Sequence, residues 1–204
     1  MLHIGGDWFF LCYLCDGYTK SAVLALRVEQ QRRTMTEYIA DKEHYVKVLT
    51  LCQKVRHDLW IGTADLKDLY VEQGGGSMPF LGALDGLLRR GVEVRLLHAK
   101  EPGENFRADF DRYPQLWERL ERRLCPRVHF KIMVFDCAQA YIGSANLTGA
   151  GMGMKGAATR NFEAGILTDD HVLVDAAADH IESVWSGHHC KACRRRDFCG
   201  DPIA

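Results

Sequence analysis

The chain has 204 residues, 47% hydrophobic and 26% charged, with a formal net charge of −1. That length supports one substantial core, and the composition is that of an ordinary soluble globular protein rather than a disordered or fibrous one. The near-zero charge excludes a bulk polycation, so any contact with nucleic acid has to come from local clusters. No apolar stretch reaches the ~20 residues of a membrane-spanning helix. The apolar run from Trp8 to Leu14 lacks the basic segment and small-residue cleavage site of a secretory signal. The chain is therefore expected to be cytoplasmic, with its scattered thiols reduced.

Residues 1–35 carry no recognisable motif and read as an N-terminal appendage of unknown role. Within it, residues 20–33 have the spacing of an amphipathic helix, and Cys12 and Cys15 form a C-x2-C with no second pair nearby. In residues 37–55, Ile39, Tyr45, Val46, Val48, Leu49, Cys52 and Val55 recur at helical spacing, which predicts a helix over the second half. Residues 58–64 read as a central strand. The glycine-rich residues 73–77 read as a flexible loop and not a phosphate loop, since no G-K-[ST] follows. Residues 80–90 read as a helix stopped by Gly91, and residues 92–97 as the next strand. This strand–helix–strand order implies a βαβ unit and a mainly parallel sheet. Residues 101–104 form a turn, and residues 109–124 one helix with Leu116, Trp117, Leu120 and Leu124 on one side. Arg119, Arg122, Arg123 and Arg127 place positive charge ahead of the next strand. Asp109, Asp111, Glu118 and Glu121 dilute it, so it reads either as a solvated face or as a polyanion site.

The stretch from Val128 to Asn146 carries the most chemistry: H-x-K-x4-D, six residues, then G-S-x-N. Ile132 to Phe135 reads as a buried strand, on which His129 and Lys131 share one face and Phe130 and Ile132 the other. Asp136 to Gln139 would turn the chain, and residues 140–143 would return Ser144 and Asn146 towards the His/Lys face. An imidazole, an ammonium, a hydroxyl and a carboxamide converging on one point suit a phosphoryl group. Lysine supplies charge, serine and asparagine supply donors, and histidine attacks phosphorus or carries a proton near neutral pH. An H-x-K alone says little: His98-Ala99-Lys100 is one, with neither the aspartate nor a G-S-x-N behind it.

The full pattern resembles the HKD signature of the phospholipase D superfamily, at His129, Lys131, Asp136, Gly143, Ser144 and Asn146 and with the family's spacing. The resemblance covers roughly residues 40–187. It implies an α/β fold with a mixed, mainly parallel β-sheet flanked by helices. Residues 36–187 would form this catalytic domain and residues 188–204 a short Cys-rich tail. The family sets two motifs across a pseudo-twofold axis, and this chain has one, so the resemblance implies a homodimer with a composite site. One His129 would attack phosphorus to form a phosphohistidine while the other protonates the leaving oxygen. Lys131, Asn146 and Ser144 would hold the phosphate oxygens, and Asp136 would orient the turn. No metal is implied for catalysis, and no carboxylate cluster typical of a two-metal nuclease stands out.

Residues 147–160, rich in Gly, Ala and Met, read as a mobile loop near the site. Residues 161–167 read as a strand, where the resemblance gives Glu163 the role of supporting His129. A carboxylate on one imidazole nitrogen fixes the tautomer and raises basicity at the other. Residues 170–185 read as a closing helix. The tail holds Cys190, Cys193 and Cys199 in a C-x2-C-x5-C pattern with His189 just upstream. These suit a structural zinc site, ahead of an iron–sulfur cluster, with reduced free thiols as the bland alternative. Arg194, Arg195 and Arg196, with Arg122, Arg123 and Arg127, are the candidate substrate-binding cations. The leading expectation is a metal-independent nuclease. A phospholipase D-type lipid hydrolase and a catalytically silent nucleic-acid-binding module stand as alternatives.

Overall fold

The computed structural model describes residues 34–67 and 69–203; the readings made for residues 1–33, including the Cys12/Cys15 pair, lie outside them. In chain order the strands are β1 (Thr36–Ala40), β2 (Asp58–Thr63), β3 (Leu66–Lys67), β4 (Tyr70–Gln73), β5 (Gly76–Pro79), β6 (Glu93–His98) and β7 (Glu121–Leu124). They continue with β8 (Lys131–Phe135), β9 (Gln139–Gly143), β10 (Leu147–Thr148) and β11 (Ala164–Thr168). The α-helices are α1 (Leu49–Lys54, preceded by a π-helical turn His44–Val48), α2 (Phe80–Arg89), α3 (Glu104–Asp111), α4 (Pro114–Arg119) and α5 (His171–Trp185).

The main sheet runs β1-β11-β9-β8-β2-β6-β7. Its central strands β2 and β8 are the two most continuously apolar segments, as a strand covered on both faces requires. Side chains alternate along β8: Met133 and Phe135 enter one core, Ile132 and Val134 the other. The first core is closed by α1 and α2. The second is closed by Val174, Ala177 and Ile181 of α5, whose N-terminus is capped by Asp170 accepting from Val172 N (2.9 Å) and Leu173 N (3.3 Å).

The expected mixed α/β fold holds, but its parallel share is smaller than the strand–helix–strand reading implied. Within the main sheet only β2–β6 and β6–β7 pair in parallel, while β1–β11, β11–β9, β9–β8 and β8–β2 are antiparallel. Of these pairs only β8 and β9 follow one another directly in the chain, joined by a short turn. Thr36–Ala40 is an edge strand beside β11, ahead of the helix expected over the second half of residues 37–55. Two local readings change. Residues 73–77 form a tight hairpin between β4 and β5, with Gly74 and Gly75 at φ 61° and 82°, the backbone that a two-residue glycine turn adopts. The helix expected over residues 109–124 breaks at Pro114, which restricts Tyr113 to an extended φ/ψ of −120°/93°; the chain then leaves α4 for the edge strand β7.

The C-terminal tail packs back on β7. Asp201 Oδ2 accepts from Leu124 N (2.7 Å), and Gly200 lies against the Leu124 side chain. The segment expected to be a mobile loop is in part core: Met152 is fully buried, and β10 pairs with β3.

Candidate active site

The entry of β8, the exit of β9 and the exit of β2 meet at one edge of the sheet, with Lys131 paired to Gly143 and Gly62 to Ile132. His129 is exposed there. Its Nδ1 lies 3.5 Å from Lys131 Nζ, which donates to the His129 carbonyl at 2.6 Å. Lys131 is only 7% exposed; burial holds its pKa below the ordinary lysine value, partly offset by Glu163. Phe130 points to the opposite face, packs on Gly62 where a Cβ would overlap its ring, and stacks edge-on against His180 (4.7 Å). That anchor fixes the backbone carrying His129.

The G-S-x-N segment is shaped by crowding. A Cβ on Gly143 would meet the Tyr141 hydroxyl and the Ala164 carbonyl, so only glycine lets β9 and β11 close at this point. Tyr141 is buried, its pKa pushed up by that burial, and its hydroxyl accepts from Ala145 N (3.2 Å). Asn146 Oδ1 accepts from Asp65 N (3.2 Å) and lies 3.4 Å from Thr63 Oγ1. This bond commits the carbonyl end of the amide and leaves its NH2 without a partner among the described residues, available as a donor. Thr63 and Asp65 carried no motif and were legible only as the end of a strand.

Asp136 sits in the turn between β8 and β9. Its carboxylate accepts from the backbone N–H of Arg56 (3.1 Å), His57 (2.7 Å) and Asp58 (3.1 Å). Burial raises its pKa, but these three bonds outweigh that and leave it lower than usual. Glu163 departs from the expectation. Its carboxylate accepts from the Ser144 hydroxyl and from Asn161 Nδ2 (3.0 Å), and among the described residues no hydrogen bond joins it to His129. Ser144 Oγ also accepts from Ala164 N (3.0 Å), so Glu163 and the start of β11 hold Ser144 in place.

A family model described as cardiolipin synthase, PLD-like domain matches residues 48–185. The chain belongs to the phospholipase D-like family. Solved structures agree in fold. NucT from Helicobacter pylori is 13% identical, with a TM-score of 0.59, covering 76% of this chain and 97% of that one. Nuc from Salmonella typhimurium, a phospholipase D family member, is 17% identical, with a TM-score of 0.58, covering 76% and 95%. Phosphatidylserine synthase from Haemophilus influenzae Rd KW20 is 14% identical, with a TM-score of 0.53, covering 74% of this chain and 38% of that one. No curated protein matches by sequence. Membership of the phospholipase D-like family supports a phosphodiesterase function, and among the described residues no helix is long and apolar enough to cross a membrane.

Around the phospholipase D-like site, the predicted substrate-binding arginines divide. Arg122 is engaged internally: Nη2 pairs with Glu101 (2.6 Å) and Nε donates to His98 Nε2 (2.8 Å). Arg123 donates to the Trp185 carbonyl and lies over its ring (4.9 Å). Arg127, Arg194, Arg195 and Arg196 are exposed. Two lysines that the sequence did not mark stand beside the site. Lys67 and Lys100 each approach Asp65 at 3.4 Å, and Asp65 N holds Asn146. Lys100 belongs to the uninformative H-x-K, whose His98 is buried, its pKa pushed down to about 4 by burial and by Arg122. In the tail, His189, Cys190, Cys193 and Cys199 border one small cavity, which Cys125 also lines.

Proposed function

We propose that this chain hydrolyses phosphodiester bonds of nucleic acid through a phosphohistidine, without a metal, as a homodimer whose two copies share one composite site. The observation that carries the reading is an exposed His129 beside a buried Lys131 ammonium and an Asn146 amide held by its carbonyl end. The imidazole of His129 attacks phosphorus, forming a P–N bond as the P–O bond to the leaving oxygen breaks. The partner's His129, protonated, donates to that oxygen. The same imidazole, now neutral, takes a proton from water, whose oxygen attacks phosphorus and releases the first histidine. Lys131 Nζ and the Asn146 NH2 stabilise the charge that gathers on the non-bridging oxygens. Each copy has one H-x-K-x4-D, so the acid must come from the second copy.

Nucleic acid is favoured over lipid by what surrounds the site. Lys67, Lys100 and Arg127 supply exposed cations. The methionines of the Gly/Ala/Met-rich loop offer little apolar surface to a membrane, with Met152 fully buried and Met154 Sδ accepting from Tyr70 N (3.3 Å). The test is hydrolysis of labelled single- and double-stranded DNA, RNA and a phosphatidyl lipid in EDTA, by wild type and His129→Ala. Nucleic-acid cleavage that survives EDTA and vanishes in the variant is expected; turnover of the lipid alone would overturn the substrate class.

A further inference from the structure

We infer, on the reading that nucleic acid is the substrate, that the pocket between the β3–β4 segment and α3 takes one unpaired nucleobase of the bound strand, stacked on Tyr70. The pocket has a volume of about 300 Å³, within the range of small-molecule sites. Its floor is apolar: Leu66, Leu69, Phe80 and Phe106 line it, and all four are buried. Its rim is polar. Lys67, Asn105, Asp109 and Arg112 also line it, with the Lys67 and Arg112 side chains 58% and 67% exposed. Tyr70 belongs to the same lining and is 40% exposed. Its backbone is fixed, by Tyr70 N donating to Met154 Sδ (3.3 Å) and by pairing with Pro79 in the β4–β5 hairpin.

A chain of contacts joins this pocket to the phosphate-binding groups. Asp65 N donates to Asn146 Oδ1 (3.2 Å), Asp65 Oδ2 pairs with Lys67 Nζ (3.4 Å), and Lys67 lines the pocket. β3 runs parallel to β10, with Lys67 paired to Thr148, just beyond Asn146. At ~3.3 Å per residue, Tyr70 lies within ~17 Å of Asp65 along the chain. A strand leaving the site over Lys67 therefore passes the pocket. The lining selects a base. A nucleobase offers a flat π face to Tyr70 and hydrogen-bonding edge atoms to the Asn105 amide, which carries both donors and an acceptor. The flanking phosphates meet Lys67 and Arg112, whose Nη1 is oriented by Asp109 (3.0 Å). An acyl chain would gain from the floor alone and would leave the polar rim desolvated without partners. A base within a duplex must give up its pairing and stacking to enter, so the pocket favours single strands.

The test is fluorescence-anisotropy binding of labelled single-stranded DNA and RNA, of the matching duplexes and of an abasic strand of equal length. The full chain carries His129→Ala, so that the strands stay uncut. Tyr70→Ala in that background is expected to weaken single-strand binding about 5–150-fold, the ~1–3 kcal/mol of one stacked base. Tyr70→Phe is expected to keep it, and neither substitution to change binding of the duplexes or of the abasic strand. Equal weakening on all strands would mean that the substitution disturbs the fold and would overturn the base pocket. Unchanged single-strand binding, or no binding of any strand, would overturn it as well. Binding of phosphatidylglycerol vesicles that depends on Tyr70, without single-strand binding, would give the pocket to a lipid instead. Binding is read apart from turnover: strands held through Tyr70 but left uncut by the wild type would refute hydrolysis alone, and strands cut without any dependence on Tyr70 would refute the pocket alone.

Discussion

Burial depresses the pKa of Lys131 because a 7% exposed ammonium has lost most of its water. The native value lies below the unfolded one, so the unfolded chain binds more protons between the two. The charge therefore costs stability at neutral pH, and that cost fades as pH rises through the native value. Lys131→Met should lower turnover by about 10²–10³-fold, as expected for removing a donor aimed at developing charge, without lowering the melting temperature at pH 7. A large drop in melting temperature would show that the lysine holds the fold instead. His98 has the same sign at lower pH. Its Nδ1–H donates to the Lys100 carbonyl (2.8 Å) and its Nε2 accepts from Arg122, so the neutral ring is the one that fits. With the native pKa near 4 against 6.5 unfolded, its contribution is complete above pH 6.5. About 3 kcal/mol of it is lost as pH falls from 6.5 to 4. Urea unfolding across that range should show a shallower acid loss in His98→Asn than in wild type.

At the scale of elements, the site depends on close approaches that only glycine allows. Gly143 sits where a Cβ would overlap the Tyr141 hydroxyl and the Ala164 carbonyl, one residue before Ser144 and three before Asn146. Gly143→Ala should cost about 1–3 kcal/mol by overpacking and lower turnover beyond what the stability loss explains, because β9 can relieve the clash only by moving that segment. Unchanged turnover in a destabilised variant would separate the packing from the chemistry. The β8–β9 hairpin was legible because its signals are local: a short apolar run, a turn with Asp136 and Cys137 at φ 50° and 47°, then a second strand. The strand β7 was not, since Glu121-Arg122-Arg123-Leu124 has no apolar alternation. It is a strand because α4, started by Pro114, ends at Arg119 and the edge of β6 offers unpaired backbone groups.

At the scale of the molecule, one motif per chain makes assembly the central prediction. If two copies of His129 share each site, a heterodimer of wild type and His129→Ala has either the nucleophile or the acid but not both. Activity in mixtures at fixed total protein should then fall as the square of the wild-type fraction, while a linear fall would mean that each chain works alone. Light scattering on the same samples should show a dimer at the concentrations assayed.

The amino-acid sequence by itself determined the phospholipase D-like family and marked the candidate catalytic set. H-x-K-x4-D and G-S-x-N are runs of neighbouring residues, and strand alternation alone places their side chains on one face. It also determined the mixed α/β class through the periodicity of its longer apolar runs. Only the tertiary structure decided the partners across the sheet. Glu163 turned to Ser144, Arg122 and Arg123 were taken into internal contacts, and Thr63, Asp65, Lys67 and Lys100 came to the flank of Asn146. Cys125 reached the tail thiols in the same way. Each of these pairings joins residues far apart in the chain, where no local period or spacing reports which strand edge will lie beside which.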